Sequence, residues 1–379
     1  MVKNRSDYSL KILSDHFYNQ ETEDIETKYT KDQIFKKFYK YEKSEIEKTI
    51  KKFKHLIKSE NIDKLKKDMI RSKYTLKASF DDYFMLNFMN KNHDERSKYI
   101  TRWYRHKYYN YLNDPNYRSL YLDKYKTYNI YKNFYKREII LIKSLSEYKK
   151  FKNFLDKHKI VIKKPYNNSF WIWVEIVKAL DVSKALLKKY LKQSWKFVLE
   201  EIIEQSDKMK LLHPESVNTV RIFGYTDGKI DNVTICFPFI RMGKWLSIVD
   251  NWWAWWIFAA VDINGIIITD WIDELWNKYK FHPDTWVKIK WLKLPDWNSA
   301  KDIVKKASLM DKHTKLIWRD LAHKKSWRVI VEWNSRWHFL WQVATQEWMK
   351  KDFEKMINLD SMKNIEEYPF CNRRSKKYL

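Results

Sequence analysis

Residues 317–337 read IWRDLAHKKSWRVIVEWNSRW, and this stretch decides the fold class. An apolar run ends at Asp320, and a β-branched run over 327–332 ends at Glu332. Side chains branched at Cβ are restricted in χ1 and pack well on a pleated surface, so two successive strands are expected. Strand side chains alternate between faces, which puts Glu332 and Asn334 on the same one. Oxygen donors grouped this way suit a hard cation, though an ordinary solvent-facing strand carries the same residues.

Outward from this pair, REIILIK at 137–143 and IVIKK at 160–164 predict strands, with a helix over 146–158 between them. Further strands are predicted at 174–177, 197–203, 220–225, 232–237, 257–262 and 265–269. Helices are predicted at 181–193, with Asp181 or Ser183 as N-cap, at 299–309, and from about 340 to 356. The pattern is α+β and mostly antiparallel. Residues 1–110 are different: they contain no glycine or proline, and apolar residues recur at helical spacing. Ile34, Phe35, Phe38, Tyr39 and Tyr41 form one stripe and Ile46, Ile50, Phe53 and Ile57 another, predicting amphipathic helices. Asn113, Asp114 and Pro115 mark the first strong break. The expected division is a Lys/Tyr-rich helical region at 1–110, a principal domain at 111–350, and a helix end with a basic tail at 351–379.

The chain has 379 residues, 44% hydrophobic and 32% charged, enough for two compact domains or one large bilobal one. That composition excludes collagen, a small disulfide scaffold and a polar disordered chain. The longest apolar run, 252–269, is broken by Asp262 and Asn264, so no membrane span is expected. The N-terminal MVKNRSDYSLKILSD lacks the apolar segment and small-residue cleavage site of an export signal. Cys236 and Cys371 fit neither a disulfide framework nor a thiolate metal site, so a reducing, cytoplasmic setting is expected. The net charge of +27 invites a nucleic-acid or membrane-surface reading, with the N-terminal helices as the binding face. Arginine, however, supplies only 14 of the 75 basic residues. Lysine is abundant beside Asn, Ile, Tyr and Phe, as an AT-rich coding sequence would make it, and the simpler outcome is a solvated lysine surface.

Glycine occurs 4 times and tryptophan 20 times, where an average composition would give roughly 27 glycines. Tight turns need positive φ, which glycine alone adopts at little cost.

Three segments together resemble the ATP-grasp fold, in particular sugar-transfer-associated ATP-grasp proteins, and more distantly the ribosomal-protein glutamate ligases. They are VIKKP at 161–165 followed by YNNSFWIW, LLHPESVNTVRIFGY at 211–225 leading into FIRMGKWLSIVDNWWAWW, and 317–337. The resemblance covers about 111–350. It implies a bilobal ATP-grasp fold with mostly antiparallel sheets, a small nucleotide-covering lobe at about 160–205 and a large lobe at about 206–350. It also implies ATP and Mg²⁺ as cofactors, and a ligase that joins a carboxylate to an amine through an acyl phosphate. The substrates would be small or glycan-linked, with a link to surface-polysaccharide or cell-envelope assembly. A non-catalytic ATP-grasp domain is the further alternative.

On this resemblance Asp320, Glu332 and Asn334 would hold Mg²⁺, which prefers oxygen ligands. Lys164 would reach the α- and β-phosphates, with Lys163 as the register alternative facing the other way, and Lys124 would be an earlier nucleotide contact. Glu200, Glu201 and Ile203 would lie nearest adenine and ribose. Arg221 and Arg241, followed by Asn251, would face the γ-phosphate, where the fixed guanidinium fork suits phosphoryl oxygens. His213, Asn218 and Thr219 read as turn-forming or orienting residues, and His282 as a substrate contact or a loop cap. The resemblance also bears on the tryptophans. Family members carry glycine at positions 171, 173, 255, 256, 286, 318, 333 and 337, and 19 of the 20 tryptophans fall between 171 and 348. Most are therefore expected to be glycine in the cell, encoded by UGA read as glycine. Trp297 matches a family tryptophan, and Trp103 can be either.

Overall fold

A computed structural model describes residues 31–58, 61–167, 174–229, 232–244, 256–325, 327–334 and 338–359. The chain divides into two compact units, one drawn from residues up to 108 together with 346–370, the other from 109–345 with the last residues. Among the described residues no helix is long and apolar enough to cross a membrane.

The first unit is helical. Lys31–Lys52 forms its longest helix, burying Phe38, Ile46 and, just beyond its end, Phe53. Ile62–Thr75 follows, with Asn61 accepting the Asp63 and Lys64 N–H groups as N-cap. Short helices begin at Phe80 and His93, each opened by a reciprocal capping box, Ser79 with Asp82 and Asn92 with Glu95. Arg96 makes a two-pronged contact with Asp68, at 2.8 Å on each arm, which Tyr83 also donates to.

The second unit contains two antiparallel sheets. The smaller is built from β1 (Ile139–Ile142), β2 (Ile160–Pro165), β3 (Glu175–Lys178) and β4 (Phe197–Glu201) in the order β1-β4-β2-β3. Helices Tyr148–His158 and Lys184–Ser194 cover one face, packing Phe151, Leu155 and Leu187 on Ile142, Val161, Phe197 and Leu199. The second helix starts at Ser183, whose side chain accepts the Leu186 N–H at 3.0 Å. The larger sheet comprises β5 (Thr219–Thr226), β6 (Val233–Gly243), β7 (Trp256–Ala260), β8 (Trp271–Asp273), β9 (Lys278–Tyr279), β10 (Leu316–Lys324) and β11 (Trp327–Asn334). Its order is β11-β10-β5-β6-β7-β8-β9. Helices Lys124–Tyr135 and Trp297–Ser308 pack on it, and Ile139, Leu141 and Val198 of the small sheet join the same apolar core.

Three sequence expectations shift. The strand expected at 232–237 runs on as β6 to Gly243, through a left-handed Phe237 (φ 49°) that bulges the ladder opposite Arg221–Phe223. No strand forms at 265–269. Gly265 takes φ +82°, and the Asp262 carboxylate accepts the N–H groups of Asn264 and Ile266, so this segment is a turn making only isolated bridges. The helix expected from 340 to 356 is two, Leu340–Thr345 and Lys350–Met356, because Gln346 between them is left-handed (φ 58°).

Gly224 lies where the helix Trp297–Ser308 approaches β5. A Cβ there would collide with Ser308 Oγ and stand 2.9 Å from both Val304 Cγ1 and Arg319 Nη1. Gly224→Ala is expected to lower unfolding stability by about 1–3 kcal/mol, read as a lower urea midpoint at unchanged slope. An unaltered midpoint would mean that the helix does not press on β5 as described.

Candidate functional site

Cross-strand register lines up three charged residues on the large sheet. Asp320 on β10 is directly opposite Glu332 on β11 and Arg221 on β5. Arg241 on β6 is opposite Thr219 on β5. Asp320 is almost wholly enclosed and is gripped by two guanidinium groups. Arg221 donates through Nε to Oδ1 and through Nη2 to Oδ2 at 2.5 Å, and Arg241 Nη2 donates to Oδ2 at 2.9 Å and to Thr219 Oγ1 at 3.0 Å. Burial alone would raise the Asp320 carboxyl, but the two arginines outweigh it and hold it below the usual range, with Lys164 adding to the effect. Arg221 is itself pulled down, by burial first and then by Arg241. Removing one partner from such a buried set typically costs about 3–5 kcal/mol.

The small sheet contributes a second cluster. β2 directs its consecutive lysines to opposite faces. Lys163 turns toward the covering helices, donating to Glu175 at 3.0 Å and Gln193 at 2.8 Å over the Tyr190 ring. Lys164 turns the other way and donates to Glu200 at 3.0 Å. Arg137, at the head of β1, donates to Glu200 at 2.9 Å and to the β11 carbonyls of Ile330 at 2.7 Å and Val331 at 3.1 Å. Burial would raise the Glu200 carboxyl, but Lys164 and Arg137 hold it at about 2. Lys124, in the first turn of its helix, sets Nζ 3.8 Å from Glu332. Its ammonium is pulled down by burial, opposed by Glu332 and reinforced by Lys164.

Among the described residues the two clusters bring together five cations, Lys124, Lys164, Arg137, Arg221 and Arg241, and three carboxylates, Glu200, Asp320 and Glu332. Asn334, opposite Trp318 in the ladder, shares the Glu332 face. Glu201 is engaged elsewhere: it accepts the Glu138 N–H at 3.1 Å and pairs with Lys324 at 3.7 Å. The Ile203 side chain packs on Ala322 and Val329. Asn251 lies outside the described residues. As oxygen donors on adjacent strands, Asp320, Glu332 and Asn334 fit a hard divalent cation. Asp320 can serve only through the acceptor capacity its arginines leave.

Sequence reading passed over Arg137, although arginine's scarcity in this chain was the available signal. His213, His282 and Asp284 form the one group of at least three His, Cys, Asp or Glu among the described residues spaced for a metal ion. Their hydrogen bonds assign them to loop structure instead. His213 Nδ1 accepts the Ser216 N–H at 3.1 Å, His282 Nδ1 accepts the Asp284 N–H at 3.2 Å, and His282 Nε2 meets the Gly243 carbonyl at 3.0 Å. Asn218 likewise ties the 205–213 segment, donating to Gln205 Oε1 and to the Met209 and His213 carbonyls.

Residues 180–358 match the family described as sugar-transfer associated ATP-grasp. No curated protein matches the chain. Among solved structures it is similar to the ATP-grasp ligase PsnB complexed with minimal precursor, at 11% identity over 65% of this chain and 62% of that one, with a TM-score of 0.41. It is also similar to D-alanyl-alanine synthetase A from Vibrio cholerae, at 8% identity over 63% and 65% with a TM-score of 0.39. D-Alanine–D-alanine ligase from Helicobacter pylori gives 15% identity over 66% and 61%, with a TM-score of 0.37. The chain thus spans somewhat under two thirds of the length of each of these structures.

Glu200 titrates at about 2 in the folded chain against an ordinary 4.5. A depressed carboxyl contributes stability that is complete above the unfolded value and is lost as pH falls through the folded one. Unfolding stability is therefore expected to decline between about pH 4.5 and 2, with ~3 kcal/mol of the loss due to this group. In Glu200→Gln, weaker at neutral pH, chemical denaturation should show a flatter decline across that window. An equally steep decline would show that Glu200 is not held as described.

Proposed function

We propose, on the premise that residues 180–358 form a sugar-transfer associated ATP-grasp domain, that this chain is an ATP- and Mg²⁺-dependent carboxylate–amine ligase. The observation that carries the reading is the enclosed cluster of lysines, arginines and carboxylates to which both sheets contribute. Such groups are the kind that hold a triphosphate and its divalent cation. Phosphoryl transfer asks of a protein mainly positioning and charge stabilisation, with no side-chain nucleophile.

Lys164 and Lys124 are assigned to the α- and β-phosphates as point charges. Glu200 aims Lys164, and the backbone at the end of β4 and beyond, through Glu201 and Ile203, is assigned to adenine and ribose, with Asn251 near the phosphates. Arg221 and Arg241 stabilise charge on the transferring group, turning part of their hydrogen bonding from Asp320 to phosphoryl oxygens. Asp320, Glu332 and Asn334 would hold Mg²⁺, which would neutralise phosphate charge. The substrate carboxylate takes the γ-phosphoryl group of ATP, and an amine then displaces phosphate from the acyl phosphate to leave an amide. Small or glycan-linked substrates of surface-polysaccharide or cell-envelope assembly, handled in the cytoplasm, are the class that the family's name suggests.

Calorimetry with ATP and Mg²⁺ tests this reading. Each lost charge-assisted contact removes about 1.5–3 kcal/mol, so Lys164→Met and Asp320→Ala should each weaken binding about 10- to 100-fold. Binding that survives both changes, needs no Mg²⁺ and fades steeply with added salt would instead mark a general polyanion-binding surface.

A further inference from the structure

Tryptophan occupies backbone conformations that its side chain disfavours. Twelve non-glycine residues have positive φ among those described, and four are tryptophan: Trp195 (φ 51°), Trp276 (66°), Trp286 (55°) and Trp291 (77°). Tryptophan makes up only 20 of 379 residues. In the left-handed region a Cβ crowds the following carbonyl, so helix ends and tight turns select glycine there. Trp195 ends the helix Lys184–Ser194, its N–H donating to the Leu191 carbonyl at 2.9 Å, the place where glycine commonly terminates a helix. Trp286 closes a turn onto the His282 carbonyl at 2.9 Å. Both indoles, and that of Trp291, are mostly in solvent.

A second defect is independent of backbone angle. The indole N–H groups of Trp271, Trp276, Trp318 and Trp333 are buried with no hydrogen-bond acceptor, although a buried indole ordinarily finds one. Trp297 behaves as a tryptophan should. Its N–H donates to the Ile263 carbonyl at 2.8 Å, and its ring lies against Gly265, where no Cβ could be accommodated. A sugar- or membrane-binding face would gather its indoles; among the described residues Trp195 and Trp286 lie on separate turns, and four enclosed indoles leave their donors unmet.

We infer that the chain made in the cell carries glycine at positions 195, 276, 286, 291, 318 and 333, and tryptophan at 297. The printed tryptophans would then be UGA codons that the organism reads as glycine. At position 318 the exchange reaches the candidate site. The Trp318 ring lies over the Arg221 guanidinium, 3.8 Å from Cζ to the ring centroid, and glycine there removes that cover from a residue assigned to the phosphates. This last consequence rests on the ligase reading; the identity of the residues does not.

Two measurements, neither of them an activity, decide the matter. Peptide mass spectrometry of the native protein should find glycine at 195, 276, 286, 291, 318 and 333 and tryptophan at 297. Tryptophan at the six would overturn the assignment whatever becomes of the ligase. In recombinant protein of the printed sequence, W195G, W276G, W286G and W291G combined should raise Tm by several degrees. An unchanged or lower Tm would show that these turns are not shaped for glycine. A glycine-bearing chain that melts higher yet ignores ATP would uphold the residues and reject the ligase.

Discussion

The carboxylate of Asp320, enclosed between Arg221 and Arg241, is the constraint around which the large sheet is organised. Both guanidinium groups donate to this one carboxylate, and in a low-dielectric interior such contacts act strongly on their surroundings. It also requires three strands to hold their register: a shift of one residue in β10 would turn Asp320 to the opposite face and leave both arginines without their acid. The alignment of three strands thus rests on one group.

The small sheet repeats this logic. Glu200 is a single anion shared by Lys164 and Arg137, and it fixes where Lys164 points. Two neighbouring lysines on β2 consequently have unrelated surroundings, one among helices and one facing the large sheet.

Much of this was legible in the sequence because it depends on period and chemistry. β-branched runs marked the strands, the two-residue spacing of Glu332 and Asn334 gave their shared face, and scarcity made Arg221 and Arg241 conspicuous. What escaped depends on the third dimension. Arg137 acts through backbone carbonyls of β11, nearly two hundred residues away, which no local pattern announces. The bulge at Phe237 that lets β6 run on to Arg241, and the left-handed Gln346 that splits the last helix, lie in conformations their side chains do not advertise. Alternation along β2 set Lys163 and Lys164 on opposite faces, but the partners each one meets came only with packing.

Arg137 has a mechanical consequence. Its guanidinium is pinned to Glu200 of one sheet and to two main-chain carbonyls of the other, and it behaves as the spine of a book. Drawing the two sheets apart along this line would first have to bend or break its two hydrogen bonds to the β11 carbonyls.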